Sequence, residues 1–138
     1  MPYSYSIDPV RRLVTITWEG VVCPTTGEEA TRRIMTDPIF RPSYAHLIDL
    51  TRATYHVDSH TSRRFVLENV AIAAPLIERD AVGSRGRMAF VTGDELSFGS
   101  ACQYRAFAAT HGIPVEVFRD VDSARAWLAA AEPPGRRT

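Results

Sequence analysis

The chain has 138 residues, 45% of them hydrophobic and 23% charged, enough for one domain that buries roughly two-thirds of its unfolded surface. Sixteen basic residues balance sixteen acidic ones, so charge gives no reason to expect nucleic acid or an anionic membrane as partner. No apolar run is long enough to cross a bilayer as a helix, which argues against an integral membrane protein, and the start MPYSYSIDPVRRL lacks the apolar stretch of a signal peptide.

Residues Tyr3 to Ile7 alternate polar and apolar, Asp8-Pro9 turns the chain, and Arg12 to Trp18 is rich in β-branched residues. Together these predict an antiparallel hairpin closed by Gly20. Thr26 with Glu29 fits a capping box for a first helix, whose apolar stripe is Ala30, Ile34 and Met35 and which Asp37-Pro38 stops. Ala45 to Leu50 (AHLIDL) is a short, nearly all-apolar run of the kind that forms a strand covered on both faces. A helix starting at Asp58 or Ser59 then uses Leu67, Val70, Ala71 and Ala74 as its inward face, and Pro75 bends or ends it. Glu78 to Arg87 reads as a polar surface loop.

Met88 to Val91 is the next strand, with its turn at Thr92-Gly93-Asp94. The following helix runs from Glu95 to Thr110, with Phe98, Ala101, Cys102 and Ala108 near one face and Tyr104 and Phe107 beside it. Gly112 suits a left-handed position after that helix. Val115 to Phe118 is a last strand. Asp122 caps a final helix that points Ala124, Trp127 and Leu128 inward, and Pro133-Pro134 ends it before a disordered tail over 133–138. The order β-β-α-β-α-β-α-β-α predicts a single α/β domain over 1–132, with a mostly parallel sheet and an N-terminal antiparallel hairpin. The two cysteines, Cys23 and Cys102, lie far apart and are expected to be small buried residues in a reduced, cytoplasmic protein.

Several segments carry a family resemblance. LIDL at 47–50 is followed by the connector TRATYHV and then Asp58-Ser59 at a helix start. ITWEGVV at 16–22, DPIFRPSY at 37–44, GRMAFVTGDELSFGS at 86–100 and VFRDVDSARAWL at 117–128 belong to the same pattern. Over roughly residues 3–130 the chain resembles the STAS domains of anti-sigma-factor antagonists and the wider SpoIIAA-like group, which includes lipid-carrier relatives. The resemblance implies a STAS-like fold, a non-enzymatic regulatory role through a protein partner, and Ser59, next to Asp58, as phosphoacceptor. The antagonists continue Asp-Ser-Ser-Gly, whereas this chain continues with His60 and Thr61. The lipid-carrier relatives imply a second role, a carrier or sensor of a small nonpolar ligand held between helices and sheet.

Read from the residues alone, Asp58 or Ser59 is a helix cap, and a phosphate on Ser59 would face the free N–H groups of the first turn. His56, Asp58 and His60 lack the further converging ligands a zinc site needs, so no metal or other cofactor is expected. Arg63-Arg64 and Arg85-Gly86-Arg87 are candidates for an anion site, with Gly83 and Gly86 loosely like a phosphate loop, but no phosphate-loop motif is present and a solvated basic face is the default reading. A hydrolase using Ser59 with His46, His56, His60 or His111 is a third reading, without a nucleophile-elbow motif behind it. Phe98, Tyr104 and Phe107, with Phe65 and Trp127, are the candidates to line a pocket for a small apolar ligand. Self-association as a homodimer is left open.

Overall fold

A computed structural model describes residues 2–80 and 85–130. The elements are β1 (Tyr3–Asp8), β2 (Leu13–Val21), α1 (Pro24–Met35), β3 (Ala45–Thr54), α2 (Ser59–Arg79), β4 (Met88–Thr92), α3 (Glu95–Ala109), β5 (Val115–Phe118) and α4 (Val121–Ala129). They build one five-stranded sheet in the order β1-β2-β3-β4-β5, in which β1 and β2 are antiparallel and every later pair is parallel. The predicted mixed sheet with its hairpin at one edge is therefore what forms.

Strand periodicity sorts the side chains between two faces. Val14, Ile16 and Trp18 of β2, His46, Ile48 and Leu50 of β3, and Met88 and Phe90 of β4 share the face packed against α1, α2 and α3. Leu47 of β3 with Ala89 and Val91 of β4 faces the other way and packs against Ala124 of α4. On β1 and β2 that second face carries Ser4, Ser6, Thr15 and Thr17, whose hydroxyls tolerate water and need no helical cover.

Six local expectations are corrected. The Thr26/Glu29 capping box does not form, because Pro24 already occupies the first turn of α1 with Cys23 as N-cap. Thr26 therefore falls inside the helix, its hydroxyl 2.8 Å from Cys23 Sγ, and Cys23 is exposed rather than buried. Gly20 does not close the strand pair: β2 passes through it at φ 75°, past a bulge between Thr17 and Glu19, and pairs onward with β3 as far as Val21↔Thr54. Helix α2 turns Ser62, Val66, Asn69 and Ala73 inward, while Leu67 is 44% exposed. The inner stripe lies one residue, about 100°, round from the most apolar one, because two polar residues occupy it.

The helix also continues through Pro75 to Arg79; Pro75 lies on the exposed side, where the carbonyl it leaves unpaired can face water. Asp120, not Asp122, caps α4, its side chain accepting from Ser123 N at 2.7 Å, so that Asp122 falls in the first turn. Of the expected loop over 78–87, residues 81–84 lie outside the described residues, as do the Pro133-Pro134 stop and the tail over 133–138. Gly112 takes the left-handed conformation, at φ 70°.

Candidate functional site

Three helices resting on one face of a twisted sheet leave a space between them. Here it is a cavity of about 90 Å³, walled by Trp18 and Ile48 from the sheet, Ile34 from α1, Phe65 from α2, and Tyr55 just after β3. The walls are mostly apolar, but one end is not. His46, Asn69 and Tyr104 all border the cavity and are 7%, 4% and 5% exposed. An adjoining void of about 10 Å³, near the minimum for one water, shares His46 and Asn69 and adds Arg85.

Each polar group is placed by local structure. His46 occupies an inward position of β3, between Val14 of β2 and Met88 of β4, where a hydrophobe would ordinarily sit. Asn69 is one turn along α2 from Val66 on the buried stripe. Tyr104 lies inside α3, its ring 5.0 Å from that of Phe90. Arg85 is held by its neighbour: Gly86 N donates to Pro42 O at 2.9 Å, and a Cβ on Gly86 would overlap the Tyr44 carbonyl. Only glycine permits that approach, which sets the half-buried Arg85 side chain against α2, where Nη1 donates to Asn69 Oδ1 at 2.7 Å.

Burial sets the charge states. Desolvation, with the nearby Arg85 cation, lowers His46 to about 4, so the imidazole is neutral at pH 7. Desolvation raises Tyr104 to about 12, opposed by Arg85 and by hydrogen bonding from Asn69. Tyr55 is raised too, by burial first and the neighbouring Tyr104 second, and burial lowers Arg85. The corner is therefore neutral at every group except one cation.

The candidates drawn from the sequence fall in several places. Tyr104 and Phe65 line the cavity. Phe98 does not line it: its ring lies under Arg119, with the guanidinium carbon 3.9 Å from the ring centroid. Phe107 is a half-buried residue packed against the main core, and Trp127 belongs to the opposite face, beneath Arg87 at 4.7 Å. Asp58 is the N-cap of α2, accepting from Thr61 N at 2.7 Å, and this bond holds its carboxylate below the usual range. Ser59 follows as the first helical residue and is exposed.

The two arginine pairs do not share one solvated face. Arg64 pairs with Glu28 at 2.8 Å across α1 and α2, Arg85 turns to the cavity corner, and Arg87 crosses to Trp127. His56 Nε2 lies 2.9 Å from Asp94 Oδ1, and Asp94, which also caps α3 through Ser97 N, is held down at about 2, first by that backbone bond and then by His56. Among the described residues no three His, Cys, Asp or Glu side chains converge as metal ligands.

His46 is legible in part, and Asn69 is not. The alternation in AHLIDL puts His46 on the same face as Ile48 and Leu50, a signal that periodicity carries beneath the general apolarity of the run. The sequence offers Arg85 only as part of the Arg85-Gly86-Arg87 anion-site candidate; its place at the cavity corner depends on the Gly86–Tyr44 approach.

No protein-family model matches the chain, and no curated protein matches it. A solved structure does: an uncharacterized protein of the DUF3478 family with a SpoIIAA-like fold, from Shewanella loihica PV-4. It superposes with a TM-score of 0.56 at 16% identity, over 91% of this chain and 93% of that one. At that identity the likeness establishes architecture. The chain has the SpoIIAA-like fold, an α/β domain with a five-stranded mixed sheet and four helices, as the sequence resemblance implies. Among the described residues no helix is long and apolar enough to cross a membrane.

Proposed function

We propose that the protein is a non-enzymatic binding domain of the SpoIIAA-like fold that takes up a small, mainly apolar molecule between α1, α2, α3 and the sheet. The observation that carries this reading is the cavity itself, apolar along its walls with His46, Asn69 and Tyr104 at one end. Ligand sites have this composition, hydrophobic surface for affinity and a few polar groups for orientation. A packed core without a ligand has little reason to bury three polar side chains beside empty space. The volume limits the guest. A cavity of about 150 Å³ accepts benzene, and the space here is about 90 Å³ at rest. Met35 and Met88 border it, and their flexible side chains give it room to expand.

A titration followed by amide NMR tests this. Benzene should shift resonances around Trp18, Ile34 and Phe90 saturably. Ala30→Leu, which places extra methyl groups in the cavity wall, should suppress the shifts while leaving the protein folded. Shifts scattered over the surface, or none, would remove the reading.

A second reading, a regulatory switch read by a protein partner, is favoured by one observation. Asp58 supplies the helix cap, so the exposed hydroxyl of Ser59 is not needed for folding. A phosphate there would meet the free N–H groups of the first turn and, unfavourably, the Asp58 carboxylate. A phosphopeptide covering residues 53–63 recovered from cells would support the switch. Its absence, together with identical partner binding by Ser59→Asp and Ser59→Ala, would exclude it. For the hydrolase reading, no hydrogen bond joins Ser59 to a histidine among the described residues, and His46 lies in the cavity wall.

A further inference from the structure

The polar end of the cavity has a direction. Arg85 Nη1 donates to Asn69 Oδ1 at 2.7 Å, and Nη2 reaches the Asn69 carbonyl oxygen at 3.3 Å. A guanidinium only donates, so the amide oxygen of Asn69 is committed to it and the amide N–H₂ group faces the other way. The Tyr104 phenol borders the same cavity, and no acceptor among the described residues takes its proton. The corner thus presents the Asn69 amide N–H₂ group and the Tyr104 O–H group beside empty space, with the Arg85 cation behind them.

His46 adds a second unsatisfied group. Its ring makes an edge contact with Phe40, centroids 5.6 Å apart, and no hydrogen bond with any described residue, although it is 7% exposed. Buried imidazoles are ordinarily hydrogen-bonded, and one nitrogen of a neutral ring is a donor.

Charge narrows the choice further. Neither the cavity nor the adjoining void has an Asp or Glu in its lining. The formal charge at this end is Arg85, which is half-buried and forms no ion pair with a described carboxylate. A desolvated cation without a counter-ion is costly and favours an incoming anion.

We infer, on the reading that this cavity holds a ligand, that the ligand is a small aliphatic monocarboxylate. Its carboxylate accepts from Tyr104 and His46 in the field of Arg85, and its hydrocarbon lies along the Ile34, Ile48 and Leu50 wall. The cavity at rest is smaller than one that holds benzene, so the chain is short, and a body of about four carbons enters as the flexible Met35 and Met88 side chains give way. Arg85 acts as a positioning residue, since it holds the Asn69 amide oxygen and so turns the amide N–H₂ group away from itself.

Three probes on the full chain at pH 7 test this by calorimetry and amide NMR: pentanoate, its neutral isostere pentanamide, and benzene. Pentanoate should bind saturably, shift the Asn69 side-chain amide signal, and bind at least about tenfold more tightly than pentanamide, the size expected for a hydrogen bond to a charged group. Tyr104→Phe removes one oxygen and keeps the ring. It should weaken pentanoate about tenfold while changing benzene affinity less than twofold. Arg85→Met should erase the difference between pentanoate and pentanamide; should that variant fold poorly, the Tyr104→Phe and pentanamide results decide alone.

If pentanamide equals pentanoate in the native protein, or Tyr104→Phe leaves pentanoate unaffected, the carboxylate inference is overturned and the apolar-ligand reading stands on benzene. Benzene bound without pentanoate has the same meaning. If no probe binds, both fall.

Discussion

Under α4, β3 and β4 present Leu47, Ala89 and Val91, each at most 1% exposed, to Ala124. One residue along the same strands, His46, Ile48, Leu50, Met88 and Phe90 turn to the opposite face and border the cavity. The first face is built from small and medium aliphatic groups that let a single helix approach closely, and it contains none of the buried polar side chains of the cavity corner. The second carries long, aromatic and polar side chains beneath three helices. Such a difference within two adjacent strands shows where packing has been made to serve stability and where it has been given up. Interiors ordinarily close to crystal-like density, and the departures from local consistency tend to mark function.

Leu47 and Leu50 sharpen that contrast. They share a strand, a side-chain type and an exposure of 1%, and differ in the face they occupy. Leu47→Ala should cost roughly 3–4 kcal/mol, in the range for a well-packed site, whereas Leu50 already lacks neighbours on its cavity side and Leu50→Ala should cost roughly 2 kcal/mol. Urea unfolding of the two variants reads the difference. Equal losses would mean that the cavity face is packed as tightly as the other.

Acid should next find the cavity face first. His46 titrates near 6.5 when unfolded and at about 4 when folded, so the unfolded chain binds a proton over that interval while the folded one does not. Its contribution is fully present above pH 6.5 and drains as pH falls toward 4, a loss of roughly 2–3 kcal/mol. The stability of His46→Leu should fall less than that of the native protein across this window, which lies above the one in which Asp94, at about 2, is protonated. Parallel curves for the two proteins would show that His46 is not buried neutral.

The two faces were unequally legible in the sequence. The runs LIDL, MAFV and VEVF, with Gly and Asp-Pro punctuation, sufficed for strands, order and parallel pairing, because period-two apolarity and turn chemistry are local. Trp127 and Leu128 of α4 were correctly turned inward for the same reason. Helix α2 shows where local reading fails: a stripe chosen for apolarity picks Leu67 and Val70, while tertiary structure buries Ser62 and Asn69. A polar residue facing a cavity breaks the pattern that would reveal it. Tyr104 is conspicuous in the sequence as an aromatic ring and borders the cavity; Phe98, equally conspicuous, lies under Arg119 instead. Arg85 depends on a contact between segments about 40 residues apart, which no window along the chain contains.

The tryptophans provide a built-in control, one per face. Trp18 borders the cavity beside Tyr3, ring centroids 5.0 Å apart, and Trp127 stacks under Arg87 behind the sheet. In Trp127→Phe, leaving Trp18 as the sole emitter, benzene or pentanoate should change the fluorescence saturably; in Trp18→Phe the emission of Trp127 should stay flat. A response from both would show that ligand changes the whole domain rather than one face.

The smallest effect is expected where α1 and α2 meet over the cavity. Gly27 sits inside α1, and a Cβ there would lie 3.0 Å from Phe65 Cζ and 3.1 Å from Cε1. Alanine in a helix interior gains roughly 0.8–1 kcal/mol over glycine. Against that gain, the Phe65 ring must move a few tenths of an ångström, and it is the tip of a half-buried side chain, stacked on Tyr55 at 6.5 Å, with the cavity beside it. Gly27→Ala should therefore leave stability within about 1 kcal/mol of the native protein. The displaced ring takes up cavity volume, so benzene should bind about threefold more weakly, well under the 1.4 kcal/mol of a tenfold change. Thermal melts and the NMR titration read the two quantities separately. A loss of stability above about 2 kcal/mol would show that Phe65 cannot yield and that this side of the cavity is rigid. Unchanged stability with unchanged affinity would place the ring's relaxation on the solvent side and leave Trp18 and Tyr55 to define the wall.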